Sequence, residues 1–284
     1  MTASVLKTQW PAALESKIIA LEKRLREMGS ALVAFSAGTD STFLTAMAQE
    51  VLGDRSLAVT AVSPSVPQKE QDEAVRLAIE IGIRHRLAST NELELAQYAC
   101  NEPDRCYHCK HRLFSILRRI ANEEQIAFVL DGSNADDQHD YRPGARAGQE
   151  QGVKSPLQEV GFTKEEIRQA SRVLGLPTAD KPASACLASR IPYGTTITAK
   201  SLRAVELAEE ALHNLGFHHV RVRATGDTAR IELAPSDVAK AASESVRSQI
   251  VERLQKAGFK FITLDLQGYR RGSWNSRLSS SEPA

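Results

Sequence analysis

Apolar residues at Leu14, Ile18, Leu21, Leu25 and Met28 recur at spacings of three and four and stop at Gly29, which predicts an amphipathic helix over 11–29. Ala31 then opens a short apolar run, followed by the small polar turn Ser36-Ala37-Gly38-Thr39-Asp40-Ser41 and a helical pattern over 40–52 closed by Gly53. Residues 56–62 read as a buried strand, 63–67 as a turn, 70–81 as a helix ended by Gly82, and 83–87 as a strand. The next helix carries Cys106 and Cys109 near its start and a stripe of Leu113, Ile116, Leu117 and Ile120; the strand over 126–130 ends in Asp131-Gly132-Ser133-Asn134. Strands and helices alternating at these lengths predict an α/β fold with a doubly wound, mostly parallel sheet.

A long polar loop follows, with Asp136, Asp137, Asp140, Tyr141, Arg142, Pro143 and Gly144, and its Asp and Arg content favours a functional role. Thr163 is the expected N-cap of a helix reaching Leu174, with Glu166 at the capping-box position. The Pro-, Ser- and Gly-rich stretch 178–198 marks a domain boundary. Beyond it a helix over 199–215, a hairpin of 220–224 with 230–233, a helix over 246–257 and a strand over 259–266 predict a small α+β domain. The expected organisation is a first domain over 1–180, a connector over 181–198 carrying Cys186, a substrate or oligomerisation domain over 199–275, and a disordered tail over 276–284.

Composition narrows the function. The 284 residues hold 36 Lys plus Arg against 35 Asp plus Glu, so the chain lacks the global basic field of a non-specific nucleic-acid binder. No stretch approaches the roughly 18 apolar residues of a membrane span, and no apolar signal core is present, so a cytoplasmic protein without membrane partners is expected. Four cysteines set among charged residues suit metal ligation or thiol reactivity better than a disulfide framework.

Three groups of residues can carry chemistry. The turn over 36–41 joins a strand to a helix: Ser36 and Ser41 supply hydroxyls, Gly38 permits close approach, and the helix N-terminus attracts an anion, of which diphosphate is the natural example. An ordinary βα turn capped by Asp40 is the plain alternative. If position 37 needs a positive φ, its alanine costs roughly 1 kcal/mol. Cys106 and Cys109 share a helix face, and Arg105, Lys110 and the helix N-terminus favour thiolates. Cys186 can add a third ligand and Cys100 a fourth, so zinc, an iron–sulfur cluster and inert thiols all remain open from the residues alone. His108 and His111, beside the pair, read as exposed helix residues. Arg221 and Arg223 alternate on one strand and so project from one face, toward which Arg142, Arg190, Arg270 and Arg271 can converge. Glu209 is a further candidate to orient a substrate.

Ser-x-Gly-x-Asp-Ser resembles the PP-loop of ATP pyrophosphatases, with Ala37 where glycine is usual. A Ser-Pro-Leu, Lys-x-Glu-Ile, Gly-Leu-Pro passage over 155–177 is similar to the other half of that nucleotide site. Together with Asp-Tyr-Arg-Pro-Gly (140–144), Lys-Pro-Ala-Ser-Ala-Cys-Leu-Ala-Ser-Arg (181–190), Pro-Tyr-Gly-Thr (192–195) and Val-Arg-Val-Arg (220–223), these motifs resemble the LarE sulfur transferases over nearly the whole chain. The resemblance implies that ATP, with Mg²⁺ held partly by Asp40, adenylates a carboxylate of pyridinium-3,5-biscarboxylic acid mononucleotide. Sulfur then displaces AMP to give a thiocarboxylate, a step in making the nickel-pincer nucleotide. It implies nucleotide contacts from Ser36, Ala37, Gly38, Thr39, Asp40 and Ser41, and substrate contacts from Arg142, Arg190, Glu209, Arg221, Arg223 and Arg270. Some members sacrifice a connector cysteine that aligns with Ala185 here; others carry three cysteines, matched by Cys106, Cys109 and Cys186, and hold a four-iron four-sulfur cluster. The implied partners are the nucleotide substrate, a sulfur donor and further copies of the chain. Rival readings are a PP-loop tRNA-thiolating enzyme, an NAD- or GMP-synthetase-like amide ligase, and a nucleotide-binding regulatory protein.

Overall fold

The computed structural model describes residues 9–139, 143–182 and 184–270. The chain divides into two compact units. The first holds the described residues up to Tyr98 together with Asp104–Ala185; the second holds Ala99–Pro103 and the described residues from Cys186 onward.

Helix α1 (Ala12–Met28) leads into β1 (Ala31–Ala34), α2 (Thr39–Leu52), β2 (Ser56–Val62), α3 (Gln68–Ile81) and β3 (Arg84–Ser89). A single turn, α4 (Ala96–Ala99), then α5 (Arg105–Glu123) and β4 (Phe128–Leu130) follow. The four strands form a parallel sheet in the order β3-β2-β1-β4. Strands β2 and β3 are added on one side of β1 and β4 on the other, so the order of strand addition reverses at β1 and the carboxyl ends of β1 and β4 flank the crevice where such sheets bind ligands.

Period-two alternation on β1 builds both layers: Ala31 and Val33 pack with α1 and α2, whereas Leu32 packs with Phe114, Leu117 and Ile120 of α5. All five apolar positions expected of α1 are buried, each contributing roughly 1.5–3 kcal/mol. On α5 the stripe is shifted: Phe114, Leu117, Ile120 and Ala121 are buried, while Leu113 and Ile116 sit at its margin.

The expected structureless loop after β4 instead contains α6 (Pro143–Glu150) and α7 (Pro156–Val160), with a 3₁₀ turn over Ala135–His139. These helices are too short to show apolar periodicity, and they form by packing. α6 lies so close to α5 that a Cβ on Gly144 would meet Lys110 Cγ at 2.8 Å. Asp140, Tyr141 and Arg142 lie outside the described residues, as does the tail over 276–284. The capping box of α8 (Lys164–Val173) is complete, with Thr163 and Glu166 bonded reciprocally.

In the second unit a 3₁₀ turn (Leu187–Arg190) precedes α9 (Ala199–His213), the hairpin β5 (Val220–Thr225) and β6 (Thr228–Leu233), α10 (Val238–Ala242), α11 (Glu244–Lys256) and β7 (Phe261–Leu264). β6 pairs antiparallel with β5 and parallel with β7. Fully buried Asn101 belongs to this unit and donates to the carbonyls of Pro192 at 2.7 Å and Thr195 at 3.1 Å. Among the described residues no helix is long and apolar enough to cross a membrane.

Candidate active site

The turn after β1 has the form of an anion loop. Gly38, not Asp40, caps α2, so the capped-turn alternative assigns the wrong residue. The first helical bond runs from the Thr42 N–H to Gly38 O at 2.9 Å, and the N–H groups of Thr39, Asp40 and Ser41 precede it at the positive end of the helix. Ser36 is exposed, and its Oγ lies 3.1 Å from Ser41 Oγ. Both hydroxyls therefore face one another across the loop.

Ala37 does take the left-handed conformation, with φ of 54°. An L-residue there costs roughly 1–2 kcal/mol. Its methyl group is fully buried with Phe35, Ala58, Ala74 and Leu77, and that contact offsets part of the cost.

Asp40 points at Lys164, whose Nζ reaches the two carboxylate oxygens at 2.6 and 2.7 Å, and Asn134 Nδ2 donates to the same carboxylate at 3.4 Å. Lys164 is the cation of the Lys-x-Glu-Ile passage, so the two halves of the nucleotide motif meet in space. Gly132 explains why β4 can end so close: a Cβ there would stand 3.0 Å from the Ser41 nitrogen. Two further contacts carry no obvious sequence signal. Thr39 Oγ1 donates to Thr178 O at 2.8 Å, and Lys181 Nζ donates to Ala37 O at 2.9 Å.

Cys106 and Cys109 lie in the first turns of α5, the first exposed and the second half-buried. His108 Nε2 lies 3.3 Å from Asp104, and His111 Nε2 lies 3.0 Å from the Gln151 amide. Cys186 and Cys100 are exposed and belong to the second unit. Among the described residues no three His, Cys, Asp or Glu side chains form a ready metal cage.

The expected basic face resolves into unequal members. Arg190, 2% exposed, makes a two-pronged bond to Glu209 at 2.9 Å on each arm, and its third nitrogen reaches Cys186 O at 2.9 Å. Glu209 also accepts the Val222 N–H at 2.9 Å, so it ties Arg190 to β5. Arg223, also buried, pairs with Glu232 at 3.0 Å and donates to Ser189 O at 2.9 Å. Sequence reasoning passes over Glu232, 1% exposed; its signal is a lone carboxylate between Ile231 and Leu233.

Arg221 differs from both. Its guanidinium stacks 5.3 Å from the Tyr269 ring centre and donates to Val220 O at 2.7 Å, and among the described residues no carboxylate pairs with it. Burial, with the positive charge of Arg190 and then Arg223, pulls its pKa below the usual arginine value. Arg270 is exposed and 3.9 Å from Asp265; Arg142 and Arg271 lie outside the described residues.

No protein-family model matches the chain. The chain is 39% identical, over 96% of its length and 99% of the relative's, to the pyridinium-3,5-bisthiocarboxylic acid mononucleotide synthase of Lactiplantibacillus plantarum. The chain belongs to the LarE family. An uncharacterized Synechocystis protein is 44% identical over 94% of the chain and 99% of its own length, extending the same full-length likeness. A glutamine-hydrolyzing GMP synthase component of Archaeoglobus fulgidus is 25% identical over 58% of the chain and 56% of its own length. A partial match of that kind fits a LarE protein that shares the PP-loop fold with amide ligases.

Proposed function

We propose that this chain is an ATP-dependent sulfur transferase that converts a carboxylate of pyridinium-3,5-biscarboxylic acid mononucleotide to a thiocarboxylate, in the cytoplasm. The observation that carries the reading is likeness to the Lactiplantibacillus synthase across both units, rather than across the loop alone. A tRNA-thiolating enzyme lacks support in the near-balanced charge.

In this reading the substrate carboxylate oxygen attacks the α-phosphorus of ATP, and diphosphate leaves with its charge on the Ser36–Ser41 loop. A sulfur nucleophile then attacks the acyl carbon, the bond to the AMP oxygen breaks, and AMP departs. Mg²⁺ needs only one or two carboxylates beside phosphate and water, so Asp40, with Lys164 as its present counter-ion, fits as its protein ligand. Arg221 is the half-buried cation left to meet a substrate phosphate or carboxylate, while the charges of Arg190 and Arg223 are already balanced by Glu209 and Glu232. Glu209 serves as the residue that holds Arg190, and Arg270 and Arg142 remain proposed substrate contacts.

Cys106 and Cys109 suit a four-iron four-sulfur cluster in donor chemistry and in sharing a helix face, and Cys186 is the proposed third ligand. Held by these three thiolates, such a cluster would supply the sulfide that is transferred. Assembly into a homo-oligomer is proposed on the resemblance alone.

Anaerobic purification with iron and sulfide analysis, followed by single-turnover assays of diphosphate and thiocarboxylate, tests the reading. Cys106→Ser, Cys109→Ser and Cys186→Ser should each lose iron and sulfur transfer, and Cys100→Ser neither. Iron-free protein that works once and emerges lighter by one hydrogen sulfide at Cys186 would overturn the cluster. Absence of diphosphate release with the carboxylate substrate would overturn the function.

A further inference from the structure

The most strained peptide of the phosphate loop is supported from outside the loop. Lys181 Nζ donates to the carbonyl of left-handed Ala37 at 2.9 Å and pairs with Glu73 of α3 at 2.7 Å. Its own backbone is held as well, because Arg168 of α8 donates to Ala179 O at 3.0 Å and to Lys181 O at 3.1 Å. One residue of the loop returns the contact, Thr39 Oγ1 donating to Thr178 O at 2.8 Å. The segment 178–181 is thus a strap fastened to α8, to α3 and to the loop.

A trans peptide holds its C=O and the following N–H antiparallel. Pinning Ala37 O therefore fixes the direction of the Gly38 N–H, which is part of the diphosphate cradle in the function proposed above. Alanine gains nothing intrinsically from φ of 54°, and without an external hold the peptide relaxes toward the right-handed region. Glu73 has the complementary role: it keeps the ammonium on the carbonyl rather than leaving it to swing onto a phosphate.

We infer that Lys181 is a positioning residue for ATP, bracing the Ala37–Gly38 peptide so that the loop is formed before the nucleotide arrives. The inference rests on the ATP-dependent reading, and its test is kept separate from turnover. Calorimetric titration of the full chain with ATP, in the absence of carboxylate substrate, should show Lys181→Met binding roughly tenfold weaker. Lys181→Arg should recover most of the affinity. Ala37→Gly should recover most of it within the Lys181→Met background, because glycine accepts the left-handed conformation without a brace.

In the unliganded protein, hydrogen exchange at the Gly38 amide should speed up in Lys181→Met and not in Lys181→Arg. In turnover the loss should fall on KM for ATP rather than on kcat. Unchanged ATP affinity and exchange in Lys181→Met would overturn the brace. Weakened binding that Ala37→Gly fails to recover would also overturn it, since that is the result expected if Lys181 touched the phosphates directly. Failure of the wild type to make thiocarboxylate would strike the proposed function while leaving the binding and exchange results to decide the brace.

Discussion

The phosphate loop and the arginine group of the second unit both present a positive surface, and they do so by opposite means. The loop relies on backbone N–H groups at the start of α2, and its two neighbouring cations are each matched by a carboxylate, Lys164 by Asp40 and Lys181 by Glu73. The second unit buries side-chain charge: Arg190 and Arg223 are neutralised by Glu209 and Glu232, and Arg221 is the surplus. Arg221 stands without a carboxylate partner among the described residues, beside a Glu232 that Arg223 and Arg230 share. Basic residues close together in sequence therefore need not share a role.

The sharpest break of this comparison comes from cutting a buried pair. Arg223→Ala leaves buried Glu232 with only the partly exposed Arg230, 3.1 Å from its other oxygen, as a partner and should cost up to roughly 3 kcal/mol of stability, read from denaturant midpoints. If Arg223→Ala instead unfolds normally and only weakens substrate binding, the architectural role is wrong. In the loop, Asp40→Asn should slow diphosphate release by roughly 10²–10³-fold, the size seen when a charge-stabilising group is lost, with an unchanged circular dichroism spectrum. Undiminished release would remove Asp40 from the mechanism.

Arg221→Ala should leave stability nearly untouched while weakening the nucleotide substrate by about 1.5–3 kcal/mol, the range for a bond to a charged group. The KM for ATP should not change. Equal effects of Arg221→Ala and Arg223→Ala on the melting temperature would erase the distinction between surplus and structure. Gly132→Ala drives a methyl group to 3.0 Å from the Ser41 nitrogen, and overpacking of this kind costs roughly 1–3 kcal/mol. ATP affinity measured by titration should fall with it.

The smallest effect concerns acid. Burial raises the Glu166 pKa, but bonds from Lys17 and Thr163 outweigh it, so the carboxyl lies below its ordinary value. A folded pKa below the unfolded one stabilises fully above the ordinary carboxylate range, and the gain is lost as pH falls through the folded value. Glu166→Gln should therefore be less stable than wild type at neutral pH and converge with it in acid. Parallel stability–pH curves for the two proteins would refute this.

The first unit was largely legible. A short apolar run, a turn of small residues and a helix with Gly53 at its end can form few other structures, and the Thr163–Glu166 box is a local signal that packing did not override. What failed was equally local. α6 begins at Pro143-Gly144 and carries no stripe, so only its packing on α5 makes it a helix. In the second unit the alternation of Arg221 and Arg223 was visible, but the partner of each depends on register. Arg221 stands opposite Glu232 in the backbone pairing, yet Glu232 bonds the side chain of Arg223. No linear pattern encodes that diagonal choice. Lys181 was visible only as part of a motif, and its contact spans 144 positions to Ala37.

Asn101 has a consequence for heredity. The second unit is one body built from two stretches of gene, since Ala99–Pro103 is encoded in the midst of the first. The Asn101 amide fills the carbonyls of Pro192 and Thr195, and the Gly194 and Ile197 N–H groups return to Asn101 O and Ala99 O. A recombination event that joined residues 186–270 to another ATP-binding unit would leave those carbonyls and N–H groups without their mates. A single crossover after Pro103 therefore parts the unit from its five-residue insert, and one before Ala99 that keeps it whole carries Asp104–Ala185 along, so the unit's descent is tied to that stretch of the first unit.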